Sequence, residues 1–229
     1  MRLIPLGGLG EIGLNMMLVE SGPDILAVDC GLLFPDDEMP GVDFAIPDFA
    51  YLREHREAFR AVILTHGHED HIGALSYLLR ECPVPVYGTP LTLAIARHRL
   101  AENDLLEQAD LRPYAPGDRI VVGGFTVEPI RVTHSIADDL GLAIETPIGT
   151  VVHTGDFKLD RRPVDHQQPD YSRFAALGER GVLALCSDST NVGRPGHTGS
   201  ETEVGRALAG RFAEASGRII VDTIALHTH

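Results

Sequence analysis

Basic residues are scarce in this 229-residue chain: 19 Lys and Arg stand against 33 Asp and Glu, a formal charge of −14. That balance argues against a broad positive footprint for nucleic acid. It does not exclude a nucleic-acid substrate, because bound ions add positive charge locally. Any long RNA-holding surface then lies in another domain or subunit. Cysteine is scarce too. Cys30, Cys82 and Cys186 are scattered, odd in number and without metal-type pairing. They read as reduced packing residues of a cytoplasmic protein. No apolar stretch approaches the length of a membrane span. The N-terminus lacks the long apolar segment of a signal peptide and runs straight into Gly7-Gly8. There is no internal repeat and no low-complexity tract. What remains, 44% hydrophobic and 23% charged residues, is ordinary for a globular chain able to bury a core.

Against this background one stretch stands out, Thr65-His66-Gly67-His68-Glu69-Asp70-His71, directly after the apolar run Ala61-Val62-Ile63-Leu64. The run reads as a buried strand, and the spacing of Ile72, Leu75, Leu78, Leu79 and Cys82 predicts a helix over 71–82. The histidines thus sit on a strand-to-helix loop at the carboxyl end of a strand, where open α/β architectures place their ligands. Imidazole and carboxylate are ligands for zinc, manganese and similar divalent ions. In extended backbone His66 and His68 project to the same side, while Asp70 and His71 face a second position. The spacing describes two metal sites; the competing reading is a His-rich surface loop.

Gly8-x-Gly10-x-x-Gly13 has the pattern of a dinucleotide fingerprint, but that pattern must open a helix. Here Asn15–Glu20 reads as another strand, so the glycines are a connection and not a cofactor site. Residues 25–28 form a strand ending at Asp29, which is either a turn former or the support of a metal-binding loop. Residues 32–48 are a loop rich in Pro, Asp and Gly, leading to a short helix at 52–58. Strand 84–87 precedes a helix capped by Thr89 and Pro90, and 111–118 reads as loop. His98, on that helix between two arginines, and His166 read as solvated side chains. Hairpins are expected at 119–132, across Gly123-Gly124, and at 142–153. Their strands stop at Thr133-His134-Ser135 and Thr154-Gly155-Asp156. Residues 157–171, with Lys158 and Asp160, read as a surface loop. Residues 181–185 read as a buried strand before Ser187-Asp188-Ser189-Thr190. Ser200-x-x-Glu203 is a capping box for a helix faced by Val204, Leu208 and Phe212, and 218–224 is a final strand. Alternating strands and helices in the middle, with hairpins on either side, predict two mixed sheets packed face to face. The expected architecture is a single-domain, four-layer αββα sandwich of the α/β class.

Taken singly, His134 suits a core or turn histidine and Asp156 a turn. Together with THGHEDH they change meaning. THGHEDH, VTHS and HTGD resemble the metallo-β-lactamase fold superfamily. PLGGLGEIG, PGVDFAIPD, LTHGHEDHIGAL, RVTHSIAD, IGTVVHTGDFKLD and SDSTN are similar to ribonuclease J, in its β-CASP branch, along essentially the whole chain. The resemblance implies that His66, His68 and His134 bind one divalent ion, Asp70 and His71 a second, and that Asp156 bridges them. It implies a metal-bridging hydroxide as nucleophile toward RNA phosphodiester bonds, oriented by Asp70. Zinc is the expected ion, with manganese as alternative. Asp188 falls on the first β-CASP motif, as an acid near proton transfer or as a strand-end turn residue. The family continues past this point into a β-CASP domain, which residues 218–229 resemble at its start, and a returning segment supplies a last histidine. His227 or His229 is the candidate replacement, against the reading of a frayed end. Three activities follow as expectations: an RNA-cleaving hydrolase, a hydrolase opening a β-lactam or lactone ring, or an inactive metal-binding fragment. No membrane partner is expected, and the sequence leaves oligomeric state open.

Overall fold

The apolar runs become strands of two sheets. In this computed structural model, which describes residues 1–35 and 39–223, the first sheet has six strands in chain order. They are β1 (Arg2–Gly7), β2 (Met16–Ser21), β3 (Asp24–Val28), β4 (Phe59–Ile63), β5 (Val86–Gly88) and β6 (Leu111–Pro113). The first three pair antiparallel and the rest parallel. The second sheet runs in the order β11-β10-β9-β8-β7. Its strands are β7 (Ile120–Val122), β8 (Phe125–Arg131), β9 (Leu140–Thr146), β10 (Gly149–His153) and β11 (Ala184–Cys186). Only the β10–β11 pair is parallel.

Strand alternation divides the interior into three cores. Ile25 and Ala27 of β3 face outward to helices α1 (Ala50–Glu54), α3 (Leu75–Glu81) and α4 (Pro90–Glu102), packing among Leu52, Leu78 and Leu100. Leu26 and Val28 point the other way, onto Phe125, Val127, Leu142 and Ile144 of the second sheet. Beyond that sheet, α5 (Tyr171–Arg180) buries Leu177 against Ile130, Ala143 and Val152. Three cores between four layers give the expected αββα sandwich. Each fully buried aliphatic side chain contributes about 1.5–3 kcal/mol.

Several local expectations are corrected. The helix predicted over 71–82 is two helices, α2 (Glu69–Ile72) and α3, split at Gly73-Ala74. A Cβ at Gly73 would stand 2.5 Å from both the Glu69 carbonyl and Leu32 Cδ2, so the chain turns where only glycine fits. The loop expected at 111–118 contains β6, a short edge strand paired to β5. The helix expected at 52–58 is only Ala50–Glu54. The strand at 181–185 is β11, and Leu185 is 65% exposed instead of buried, because β11 is an edge strand. The capping box does not form. Ser200 Oγ donates to the Arg162 carbonyl at 2.8 Å instead of capping α6 (Glu201–Glu214), whose Val204, Leu208 and Phe212 are all exposed. Residues 218–223 have no strand partner among the described residues and are not a strand. Within the supposed surface loop at 157–171, Asp160 is buried: its carboxylate accepts from the amides of Arg162 and Glu201.

Candidate metal centre

Both sheets aim their strand ends at one place. From the first sheet come Asn15 before β2, Asp29 after β3, and residues 65–71 after β4. From the second come His134 after β8, Asp156 after β10 and Asp188 after β11. A backbone bond from the Leu140 amide to the Thr65 carbonyl, 3.2 Å, ties the two sides together. Gly155 must also come close to Thr65: at φ +60°, a Cβ there would stand 2.7 Å from the Leu140 carbonyl.

Four imidazoles converge. The ring of His66 lies 4.6 Å from that of His68, 4.0 Å from His71 and 5.2 Å from His134, between centroids. His66 Nε2 and His68 Nδ1 face each other at 3.0 Å. Asp156 stands between the groups, with Oδ1 3.4 Å from His71 Nε2 and Oδ2 3.6 Å from His134 Nε2. Asp70 Oδ2 is 3.8 Å from the same His71 nitrogen. Donor atoms of His66, His68 and His134 fall within 4.8 Å of one another, and so do those of His66, His71 and Asp156.

The ring orientations have a common cause in Asp29, which the sequence left between turn former and support. It is both. Its φ is +60°, and its buried carboxylate accepts from the Thr65 amide at 2.7 Å, Thr65 Oγ1 at 2.9 Å and His71 Nδ1 at 2.8 Å. Since Thr65 Oγ1 donates to Asp29, its lone pair is free to accept from His66 Nδ1, 3.0 Å away. Both rings are thereby held with Nδ1 outward and Nε2 toward the cluster, the orientation metal ligation requires.

Burial pushes the His66 pKa well below its ordinary value, helped by the neighbouring rings of His71, His68 and His134. Burial also lowers His134, against the pull of Asp156. Burial works the same way on His71, but Asp29 and Asp156 outweigh it and raise that ring well above the usual range. Asp156 is the converse: burial would raise it, and His71 brings it below the ordinary value. Asp70 is raised, chiefly by burial.

The structure therefore brings His66, His68, His71, His134 and Asp156 into two donor groups, with Asp70 beside His71 but in neither. Asp188 stays outside both donor groups. It forms a turn, its Oδ1 accepting from Thr190 N and Oγ1 at 2.8 and 2.7 Å, and it lines the same cavity of about 690 Å³ as Asp70, His71 and Asp156. His98 is solvated beside Glu102, and His166 is exposed, as expected. His227 and His229 lie outside the described residues. Two residues at the centre had no signal in the motifs. Asn15 reaches His71 through its carboxamide. Asp139 is fully buried, with Oδ1 3.5 Å from His66 Nδ1 and no well-formed hydrogen bond to either oxygen among the described residues. The second member of an Asp138-Asp139 pair looks like a turn carboxylate in sequence.

The profile of the beta-lactamase superfamily domain matches residues 17–174, most of the chain and every residue of the cluster except Asn15. The chain belongs to the β-lactamase superfamily. Its fold is the metallo-β-lactamase sandwich, and the fold together with the His/Asp cluster implies divalent metal. A solved protein of unknown function from Enterococcus faecalis V583 superposes with a TM-score of 0.68 at 19% identity, over 93% of this chain and 57% of its own. Among curated relatives, ribonuclease J of Thermus thermophilus is 48% identical over 100% of this chain and 41% of its own length. Ribonuclease J of Synechocystis is 46% identical over 100% of this chain and 36% of its own. Ribonuclease J2 of Bacillus subtilis is 42% identical, over 98% and 40% respectively. The chain thus spans about two-fifths of the length of these superfamily relatives.

Proposed function

We propose that this chain carries the catalytic centre of a ribonuclease J-type enzyme, a dinuclear metal-dependent hydrolase of RNA phosphodiester bonds. The observation that supports it most is Asp156, whose two carboxylate oxygens face His71 and His134 separately, as a bridging ligand must. In this reading His66, His68 and His134 hold one ion, and His71 with Asp70 the other. The donor set fits: imidazole nitrogens turned inward, and carboxylates on the open side. Zinc is the ion these donors favour, with manganese second. When bound, the ions supply an activated water and neutralise charge developing on a phosphoryl group. The protein's own part is to fix the geometry. Asp29 orients the His66 and His71 rings, and a cavity of about 690 Å³ lies beside Asp70, His71 and Asp156. Asp70, its pKa raised by burial, is suited to hold a hydrogen bond to the attacking water. Asp188, which lines the same cavity, is assigned to proton transfer in this reading.

The relatives' greater length supports a further part of the reading: residues 1–229 are one metallo-β-lactamase-type domain, and about 218–229 begin a β-CASP domain. The exposed apolar face of α6 would then be covered by that additional chain, which would also carry the RNA-holding surface missing from this acidic domain. Three free cysteines among the described residues suit a cytoplasmic setting.

The test is cleavage of 5′-monophosphorylated RNA beside opening of a chromogenic β-lactam, each with and without a chelator. Chelator-sensitive RNA cleavage, with the β-lactam untouched, supports the proposal. Ring opening with intact RNA supports the small-substrate reading, and metal binding without either supports an inert fragment. Replacing His66 or His68 by Ala should lower turnover at least about 100-fold; unchanged turnover would refute the mechanism.

A further inference from the structure

His153 ends β10 in the run His153-Thr154-Gly155-Asp156 and belongs to neither donor group. Its Nδ1 accepts from the Gly155 amide at 3.1 Å, and among the described residues no other acceptor takes that amide. An N–H can bond only to a ring nitrogen that carries a lone pair, so the neutral ring has its hydrogen on Nε2. Burial lowers the pKa of this ring, against the pull of Asp29 and Asp156, and so favours the neutral form. His66 and His71 are oriented the other way, with Nδ1 toward Thr65 Oγ1 and the Asp29 carboxylate and Nε2 toward the cluster. The centre thus contains an imidazole that accepts from the backbone where its neighbours face ligand positions.

The turn that follows is held at each residue. The Thr154 amide donates to the Cys186 carbonyl at 2.9 Å. Thr154 Oγ1 donates to the Gly155 carbonyl at 2.7 Å and accepts from the Asp188 amide at 3.0 Å. Gly155, at φ +60°, is pressed against the Leu140 carbonyl. The peptide plane joining Thr154 to Gly155 is fixed through its N–H, and the acceptor is the His153 ring. Asp156 leaves the chain directly after this plane and needs its precision. Its two oxygens serve different neighbours, Oδ1 at 3.4 Å from His71 Nε2 and Oδ2 at 3.6 Å from His134 Nε2. We infer that His153 is a positioning residue for the bridging carboxylate: its Nδ1 lone pair holds the Gly155 amide and so the direction in which Asp156 points. The inference rests on the reading of Asp156 as a bridge and adds a residue that acts through the backbone.

Asparagine and leucine have the same shape, but only asparagine offers an acceptor where Nδ1 stands. Calorimetric titration of the metal-stripped 229-residue chain with Mn²⁺, and separately with Zn²⁺, therefore compares wild type, His153→Asn and His153→Leu. The wild type should take two ions, and His153→Asn should bind both within about threefold of it. His153→Leu should weaken both ions by about 10- to 100-fold, because the ligand they share is no longer aimed. Equal affinities in the two variants, whether both intact or both weakened, overturn the inference. Nitrogen NMR of the wild-type ring answers independently. Hydrogen on Nε2 alone supports the role, whereas hydrogen on Nδ1 overturns it, since that nitrogen could not then accept. Should His153→Leu fail to fold, this measurement decides. A wild type that takes one ion refutes the two-ion reading, and the contrast between the variants on that ion still decides the role of His153.

Discussion

At the level of single residues the centre is governed by which nitrogen of each ring carries hydrogen. Asp29 sets this for His71 directly and for His66 through Thr65. Asp29→Asn keeps the shape but loses the charge, and should weaken metal binding about 10- to 100-fold, read by competition with a chromogenic chelator. His71 also sets a pH dependence. Its raised pKa means that the metal-free chain carries a proton there which an incoming ion must expel. Affinity should therefore fall as pH drops, and titrations in two buffers of different ionisation heat should reveal proton release. For the metal-free fold the sign is reversed. The protonated ring's contact with Asp29 and Asp156 stabilises at acid pH, fully below the unfolded histidine pKa, and this contribution is lost as pH rises through the folded value. Asp139 shows the cost of burying an acid: burial, with Asp156 nearby, pushes its carboxyl well above the ordinary carboxylate range, so folding at neutral pH must take up a proton. A buried carboxylate without a well-formed hydrogen bond is destabilising, so Asp139→Asn should raise the melting temperature of the metal-free chain by at least about 2 °C.

At the level of elements, the strand ends and α2 are laced by backbone bonds. Cys30 N donates to the His71 carbonyl at 2.8 Å, Ala74 N to the Cys30 carbonyl at 3.0 Å, and Asn15 N to the Asp70 carbonyl at 3.1 Å. Gly31 lies at the tightest point, where a Cβ would meet the Asp70 carbonyl oxygen at 1.6 Å. Gly31→Ala should destabilise by about 1–3 kcal/mol or more, measured by urea unfolding, and should disturb Asp70 and His71 together. This lacing explains what the sequence made legible. Continuous apolar runs such as Ile25–Val28 announced strands buried on both faces, and THGHEDH announced its ligands, because both signals are local. Asn15 and Asp139 were invisible because their meaning depends on chain segments 56 and 73 residues away, at His71 and His66 respectively. The failed capping box at Ser200 has the same origin: a distant carbonyl, that of Arg162, took the hydroxyl.

At the scale of the whole molecule, apolar surface is unevenly placed. Leu185 on edge strand β11 and Val204, Leu208 and Phe212 on α6 are exposed, whereas the three inner cores are closed. Leu208→Glu with Phe212→Lys should shift stability by less than about 0.5 kcal/mol each in thermal unfolding, while lowering binding of a hydrophobic dye. No helix among the described residues is long and apolar enough to cross a membrane. The donor atoms come from opposite sides of the sandwich, His66 and His71 from the first sheet and His134 and Asp156 from the second. An ion held among them is a rivet through two plates that otherwise meet mainly through apolar side chains, which slide more readily than they separate. Amide hydrogens in the central strands of both sheets, far from any ligand, would exchange with solvent more slowly once that rivet is in place.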